Sequence, residues 1–229
     1  MNKNIMNILV ACEESQAITM ALRKLGHNAF SCDLQRPSGY HPEWHILGDV
    51  LPYINGNCEF TTMKKVTYRI DGKWDLLIAH PPCTYMSNAG ARWMYKKPGV
   101  VDEERLKLAL EAKDFFMKFI NADCDRICVE NPRPLSIVGL PPHTQEIQPY
   151  HYGHPYSKCT YLWLKNLPDL EPTNILIEHV PYLPSNTQNP GALKTHTSRN
   201  SSKTFPGVAE AIATQWGNFS SNSKLTIVE

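Results

Sequence analysis

The sequence predicts an α/β protein, an open and mostly parallel sheet with helices on both faces and one inserted β-hairpin. Three observations carry that expectation. Short, wholly apolar runs recur through the first 130 residues, as strands covered on both faces require. Between them lie stretches whose apolar residues fall at helical spacing. Strand, helix and strand also follow one another within about thirty residues, the length of a βαβ unit.

Asn7–Cys12 (NILVAC) reads as a buried parallel strand. Ser15 offers an N-cap, and Ile18, Ala21, Leu22 and Leu25 share one helix face that ends at Gly26. Asn28–Asp33 (NAFSCD) is the second strand, and Gly48-Asp49-Val50 ends a short third one. Residues 58–73 alternate through Val66, Tyr68 and Ile70 towards Asp71-Gly72, a hairpin signal, and form the insertion. Asp75–His80 (DLLIAH) is a buried strand running into Pro81-Pro82-Cys83. Asp102–Ala122 is the clearest helix, with acids in its first turn to match the macrodipole. Asp125–Glu130 (DRICVE) is a strand stopped by Asn131-Pro132, Tyr161–Leu164 a further strand, and Pro206–Phe219 a last helix with proline at its first position. Residues 1–219 are expected to be one domain and 220–229 a loose tail.

Composition narrows the function classes. The chain has 229 residues, 42% hydrophobic and 20% charged, so it has ample material for a core. A formal net charge of +1 excludes a protein that coats nucleic acid by bulk charge. No apolar run approaches the roughly 18–20 residues of a membrane span, and the apolar start of the chain reads as a strand rather than a signal peptide. Seven cysteines without a CxxC pair suit free thiols in a reducing cytoplasm. His143, His151, His154 and Cys159 match no zinc spacing, so no metal is expected.

Ligands of open parallel sheets bind beyond the carboxyl ends of the strands. Those ends here are Cys12-Glu13-Glu14, Asp33, Asp49, Pro81-Pro82-Cys83 and Glu130-Asn131-Pro132. Asp33 is placed to accept hydrogen bonds from ribose hydroxyls, and Asp49 to face an adenine amino group; each taken alone is more often a solvated strand-end acid. No GxGxxG follows the first strand, which argues against a dinucleotide. Cys83, after two stiffening prolines, has the setting of a nucleophile, although a lone cysteine is more often a small buried hydrophobe. Glu130 can hold or protonate a ring nitrogen.

Together, PPC at one strand end and ENP at a later one resemble the DNA cytosine-5 methyltransferase family, with Asp33 and Asp49 in that family's order. The resemblance covers residues 8–132. Residues 148–164 (QPYHYGHPYSKCTYLWL) and the final TFPGVAEAIATQWG are similar to the short phage and prophage members. It implies a Rossmann-like class I methyltransferase fold with S-adenosylmethionine as cofactor, bound at Cys12, Glu13, Ser15, Asp33, Asp49 and Pro81. It further implies a substrate cytosine in DNA, duplex or single-stranded, with Cys83 adding to carbon 6, Glu130 holding the ring and Lys158 standing where the family has a supporting arginine.

The chain departs from that pattern in three ways. Ala11–Gln16 holds none of the family's glycines, Ser157-Lys158-Cys159-Thr160 offers a lysine in place of a forked arginine, and forty residues between Leu164 and Phe205 leave no room for a full target-recognition domain. Phosphate contacts are then expected from Lys64, Lys65, Arg92, Lys96, Arg199 and Lys203, with Tyr85, Trp93 and Tyr95 as stacking surfaces. The alternatives are a non-catalytic nucleotide or nucleic-acid binding protein, and an enzyme of free or single-stranded cytosine nucleotides. A methyltransferase of exocyclic amino groups ranks lower, because Cys83 fills the aromatic position of the proline-proline-aromatic motif.

Overall fold

The structure, a computed structural model, describes residues 4–182 and 202–228. β1 (Asn7–Ala11), α1 (Ala17–Lys24) and β2 (Asn28–Asp33) make the strand–helix–strand unit, with β3 (His45–Leu47) beside β2. β4 (Cys58–Thr61) and β5 (Thr67–Asp71) are the inserted hairpin, after which β6 (Leu76–Ala79) returns to the centre. β7 (Tyr95–Lys97) and β8 (Val100–Val101) form a ribbon ahead of α2 (Glu103–Ile120). Then come β9 (Ile127–Pro132), β10 (Gln145–Ile147), β11 (Tyr156–Ser157), β12 (Thr160–Lys165) and β13 (Val180–Pro181). α3 (Pro206–Trp216) and β14 (Lys224–Val228) complete the described elements.

The main sheet has seven strands in the order β10-β12-β9-β6-β1-β2-β3. β9, β6, β1, β2 and β3 run parallel, and β12 and β10 add antiparallel pairs at one edge. From β1 the chain moves outward to β2 and β3, then returns to β6 on the other side of β1 and continues to β9. The order therefore reverses between β1 and β6, and such a reversal opens a crevice at the strands' carboxyl ends.

Successive strand residues face opposite ways. Ile8, Val10, Ala29, Leu76, Ile78 and Cys128 pack with Ile18 and Leu22 of α1 and with Val208, Ile212 and Trp216 of α3. Leu9, Ala11, Phe30, Leu77, Ala79 and Val129 pack with Ala109, Phe116 and Phe119 of α2. At roughly 1.5–3 kcal/mol for each large side chain buried, these two layers supply most of the drive for folding. Gly207 fixes how α3 seats: a Cβ there would lie 2.0 Å from the Tyr152 carbonyl oxygen, so only glycine lets the helix start against that segment.

Several expectations are corrected. The loose tail of residues 220–229 is replaced by β14, which pairs with β5. Buried Asp75 anchors the approach to it, accepting bonds from Asn222 N (2.7 Å), Ser221 Oγ (2.7 Å) and Ser223 Oγ (3.2 Å) as well as from Asn7 N (2.7 Å). The hairpin turns at 62–66, where Lys65 takes a positive φ of 64° and its N–H bonds the Thr62 carbonyl; Asp71 only ends β5. β9 does not stop before Asn131-Pro132, because β12 continues the pairing through Tyr161↔Asn131 and Thr160↔Pro132. His45 starts β3 and is buried.

Candidate active site

The crevice between β1 and β6 is framed by the loops that follow them, joined where His80 N–H donates to the Ala11 carbonyl at 3.0 Å. After β1 the chain makes two left-handed turns without glycine, Cys12 at φ 57° and Gln16 at φ 58°. Such conformations cost roughly 1–2 kcal/mol per L-residue. They are held by the Gln16 amide, which donates to Ser31 Oγ (3.1 Å) and the His41 carbonyl (2.9 Å) and accepts from His41 N–H (3.1 Å). Gly39 presses on the same place: a Cβ there would lie 2.7 Å from Gln16 Cβ.

Three N–H groups in the first turn of α1 that lack intrahelical partners find acceptors, two of them outside the expected cap. Ser15 Oγ accepts from Ala17 N–H at 3.4 Å, while the helix's own bonding begins with Met20 N–H donating to the Gln16 carbonyl at 2.8 Å. Glu13 takes the other two, through Ile18 N–H (2.6 Å) and Thr19 N–H (3.3 Å), and also accepts from the Thr19 hydroxyl (2.6 Å). Glu13 is 3% exposed and its carboxyl is spent on α1. Burial pushes its pKa up, against the opposing effect of those donors.

Cys12, Asp33 and Asp49 sit together beyond β1, β2 and β3. Burial, with the charges of both acids, pushes the Cys12 thiol up to about 12. Burial also raises the Asp33 carboxyl, against the opposing effect of Gln35 N–H, which donates to it at 2.8 Å, the Leu34 backbone and His45. Asp49 accepts from Leu51 N–H at 3.1 Å. Pro81 is buried at the end of β6.

The loops after β6 and β9 are stitched together. Leu135 N–H donates to the Met86 carbonyl (2.7 Å), and Asn88 N–H donates to the Arg133 carbonyl (2.8 Å). The Cys83 carbonyl accepts from Met86 and Ser87, which turns the chain immediately after the thiol. Cys83, half-buried, has its pKa raised by burial and by the Glu130 charge, with Lys158 acting the other way. Burial works against ionisation of Glu130, but His80, 3.3 Å away through Nδ1, and the Lys158 charge hold its carboxyl below the usual range. Cys83, Glu130 and Lys158 are thus electrostatic neighbours at one end of the sheet. Sequence reasoning missed His80; its only signal was its place between a buried strand and Pro81.

The expected phosphate contacts are scattered. Lys64 and Lys65 are exposed on the hairpin turn, and Arg92 and Lys96 on the segment after Cys83. Arg92 stacks over exposed Trp93 (4.6 Å to the ring centre), and Lys96 pairs with Asp102 at 3.5 Å. Tyr95 is exposed and Tyr85 lies under Arg105. Lys203 precedes α3, and Arg199 lies outside the described residues. Among the described residues no group of three or more His, Cys, Asp or Glu is placed to hold a metal, and no helix is long and apolar enough to cross a membrane. Two surface cavities, of about 430 and 260 Å³, lie elsewhere: one beside Arg23, His27 and Trp44, the other beside Trp74, Asp125 and Arg126.

No protein-family profile matches the chain, and no curated protein matches it. A similar solved structure is described as a candidate DNA modification methyltransferase encoded within an E. coli prophage; the match has 13% identity and a TM-score of 0.42 and covers 75% of this chain. The chain spans about half of that structure (52%), and a likeness this low carries no argument about function.

Proposed function

We propose that the protein is a class I methyltransferase that uses S-adenosylmethionine to methylate carbon 5 of cytosine in DNA through a covalent Cys83 adduct. One observation supports the reading most: the loops that carry PPC and ENP, far apart in sequence, follow paired strands and are bonded to each other, Leu135 N–H to the Met86 carbonyl and Asn88 N–H to the Arg133 carbonyl. The parallel sheet with α1 and α3 packed against one set of strand residues and α2 against the other supports it, as does the crevice between β1 and β6.

The residues at the first three strand ends fit the cofactor. Asp33, at the end of β2, offers an acceptor to ribose hydroxyls, and the left-handed Cys12 gives the backbone a course that the family reaches with glycine. Asp33, Asp49, Pro81 and the backbone at Cys12, Glu13 and Ser15 would hold it. When bound, S-adenosylmethionine supplies an electrophilic methyl group.

The chain's own groups prepare the base. Carbon 5 of cytosine is a poor nucleophile until a thiolate adds to carbon 6. Cys83 makes that bond, and Glu130 holds ring nitrogen 3 and the amino group so that electrons move towards carbon 5. Lys158 favours both ionised forms. Once carbon 5 carries its methyl group, loss of the carbon-5 proton expels Cys83. A base in duplex DNA must first leave the stack, at a cost of a few kcal/mol. The exposed Trp93 and Tyr95, with Arg92, Lys64, Lys65 and Lys203, are the surfaces offered to DNA.

The test is transfer of labelled methyl from S-adenosylmethionine to DNA by the wild type and by Cys83→Ser. The wild type transfers and the variant, with unchanged circular dichroism, does not; equal transfer by both would refute the adduct.

A further inference from the structure

One partly buried group has no use in the proposed mechanism. His80 ends β6, immediately before the Pro81-Pro82-Cys83 loop, with its side chain 15% exposed. Its Nδ1 lies 3.3 Å from Glu130 Oε2, and its Nε2 is buried without a hydrogen-bond partner among the described residues. Three elements bring charged groups to it: Glu130 from β9, Glu13 from the loop before α1, and Lys158 from the link between β11 and β12. Burial disfavours the imidazolium and so does Lys158, but the Glu130 bond and the two carboxylates outweigh them and raise the pKa. A histidine with no catalytic use would gain little from burial between two acids with one ring nitrogen unsatisfied.

We infer that His80 is a positioning residue that governs the proton on Glu130, the pair holding one proton between Nδ1 and Oε2 for delivery to the substrate base. The inference rests on the cytosine-adduct reading and deepens it. Before substrate binds, the proton sits on His80 and Glu130 is ionised. Cys83 attacks as its thiolate, having given its proton to water, and its electron pair forms the bond to carbon 6. The C5–C6 pair then moves to C4–C5, and the C4–N3 pair moves onto nitrogen 3. Nitrogen 3 takes the proton through Glu130, leaving His80 neutral and Glu130 again a carboxylate. The C4–C5 pair forms the bond to the methyl group as the nitrogen-3 pair returns to C4–N3; water then takes the carbon-5 proton, that C–H pair becomes the new C5–C6 double bond, Cys83 leaves with the S–C6 pair, and the nitrogen-3 proton goes back through Glu130 to Nδ1. Nothing is oxidised or reduced.

Two measurements test the inference. The first is NMR titration of the His80 imidazole in the wild type and in Glu130→Gln. It should titrate above the ordinary histidine value of 6.5 in the wild type and at a lower pH in the variant, where Glu13 alone is left to offset burial. The second is release of tritium from carbon 5 of cytosine in DNA, with S-adenosylmethionine present, by the wild type, His80→Ala and His80→Asn. Asn keeps a neutral donor near Nδ1 but carries no mobile proton. Both variants should fall about a hundredfold and lose the wild type's pH limb in the histidine range. If His80→Asn restores the rate with the wild-type profile, or if His80 titrates at the same pH with and without Glu130, the inference is overturned and the cytosine reading stands. If the wild type releases no tritium while His80 shifts as stated, the cytosine reading fails and the proton-sharing pair remains.

Discussion

Replacing Glu13 by Ala removes a carboxylate that serves α1 from outside the helix. Two buried backbone donors, Ile18 N–H and Thr19 N–H, lose their acceptor, and the Thr19 hydroxyl loses its partner at 2.6 Å. A lost cap costs roughly 1 kcal/mol, and each buried donor left unsatisfied adds roughly 1–3 kcal/mol before water enters. Since deletion opens space for a water at one donor, the expected loss is about 3 kcal/mol. At roughly 2–4 °C per kcal/mol for a chain of this size, the midpoint should fall by about 6–12 °C. Glu13→Gln keeps one acceptor and should lose about 1 kcal/mol. Its deficit should also shrink as pH rises from 4.5, because burial raises the Glu13 pKa and makes ionisation of the wild type destabilising over that range. Urea unfolding followed by circular dichroism measures all three proteins. A Glu13→Ala variant within about 0.5 kcal/mol of wild type would refute the assignment of this carboxylate as the cap of α1.

Two further outcomes follow from the buried polar groups. Asp75→Ala should cost about 3 kcal/mol by removing four hydrogen bonds, and hydrogen exchange should show residues 224–228 losing protection before the main sheet does; retained protection there would refute the anchor. The His80–Glu130 pair should make stability depend on pH in a defined window. The depressed Glu130 pKa contributes stability that is complete above 4.5 and is lost as pH falls through the folded value. The raised His80 pKa contributes stability that is complete below 6.5 and is lost as pH rises through its folded value. The difference in unfolding free energy between wild type and Glu130→Gln should therefore peak between pH 4.5 and 6.5; a difference independent of pH would rule the pairing out.

Much of the sheet was legible because burial on two faces leaves a plain mark. NAFSCD marks β2 to the residue, and the acids at 102–104 mark the start of α2, where Asp102 accepts from Arg105 N–H. The strand-end residues were legible too, since the parallel order follows from the crossovers. What escaped depended on contacts distant in sequence or on unusual backbone. Glu13 caps α1 only because Cys12 and Gln16 both take left-handed conformations that local propensity disfavours. β14 looked like a tail because its partner, β5, lies about 155 residues earlier, and a polar Ser221-Asn222-Ser223 stretch gives no hint of Asp75. Asp71-Gly72 carried the stronger turn signal, yet pairing of β4 with β5 placed the turn at 62–66. His80 was passed over because one histidine at a strand end has no motif of its own.

The central claim is a bond between Cys83 and a cytosine of DNA, and trapping that bond tests it most directly. The protein is incubated with S-adenosylmethionine and DNA in which 5-fluorocytosine replaces cytosine throughout, so that the final loss from carbon 5 cannot occur. Intact mass should then show protein joined to DNA with one added methyl group, and digestion should place the link on the peptide containing Cys83. A folded protein that forms no covalent complex, or one linked through another residue, would contradict the claim.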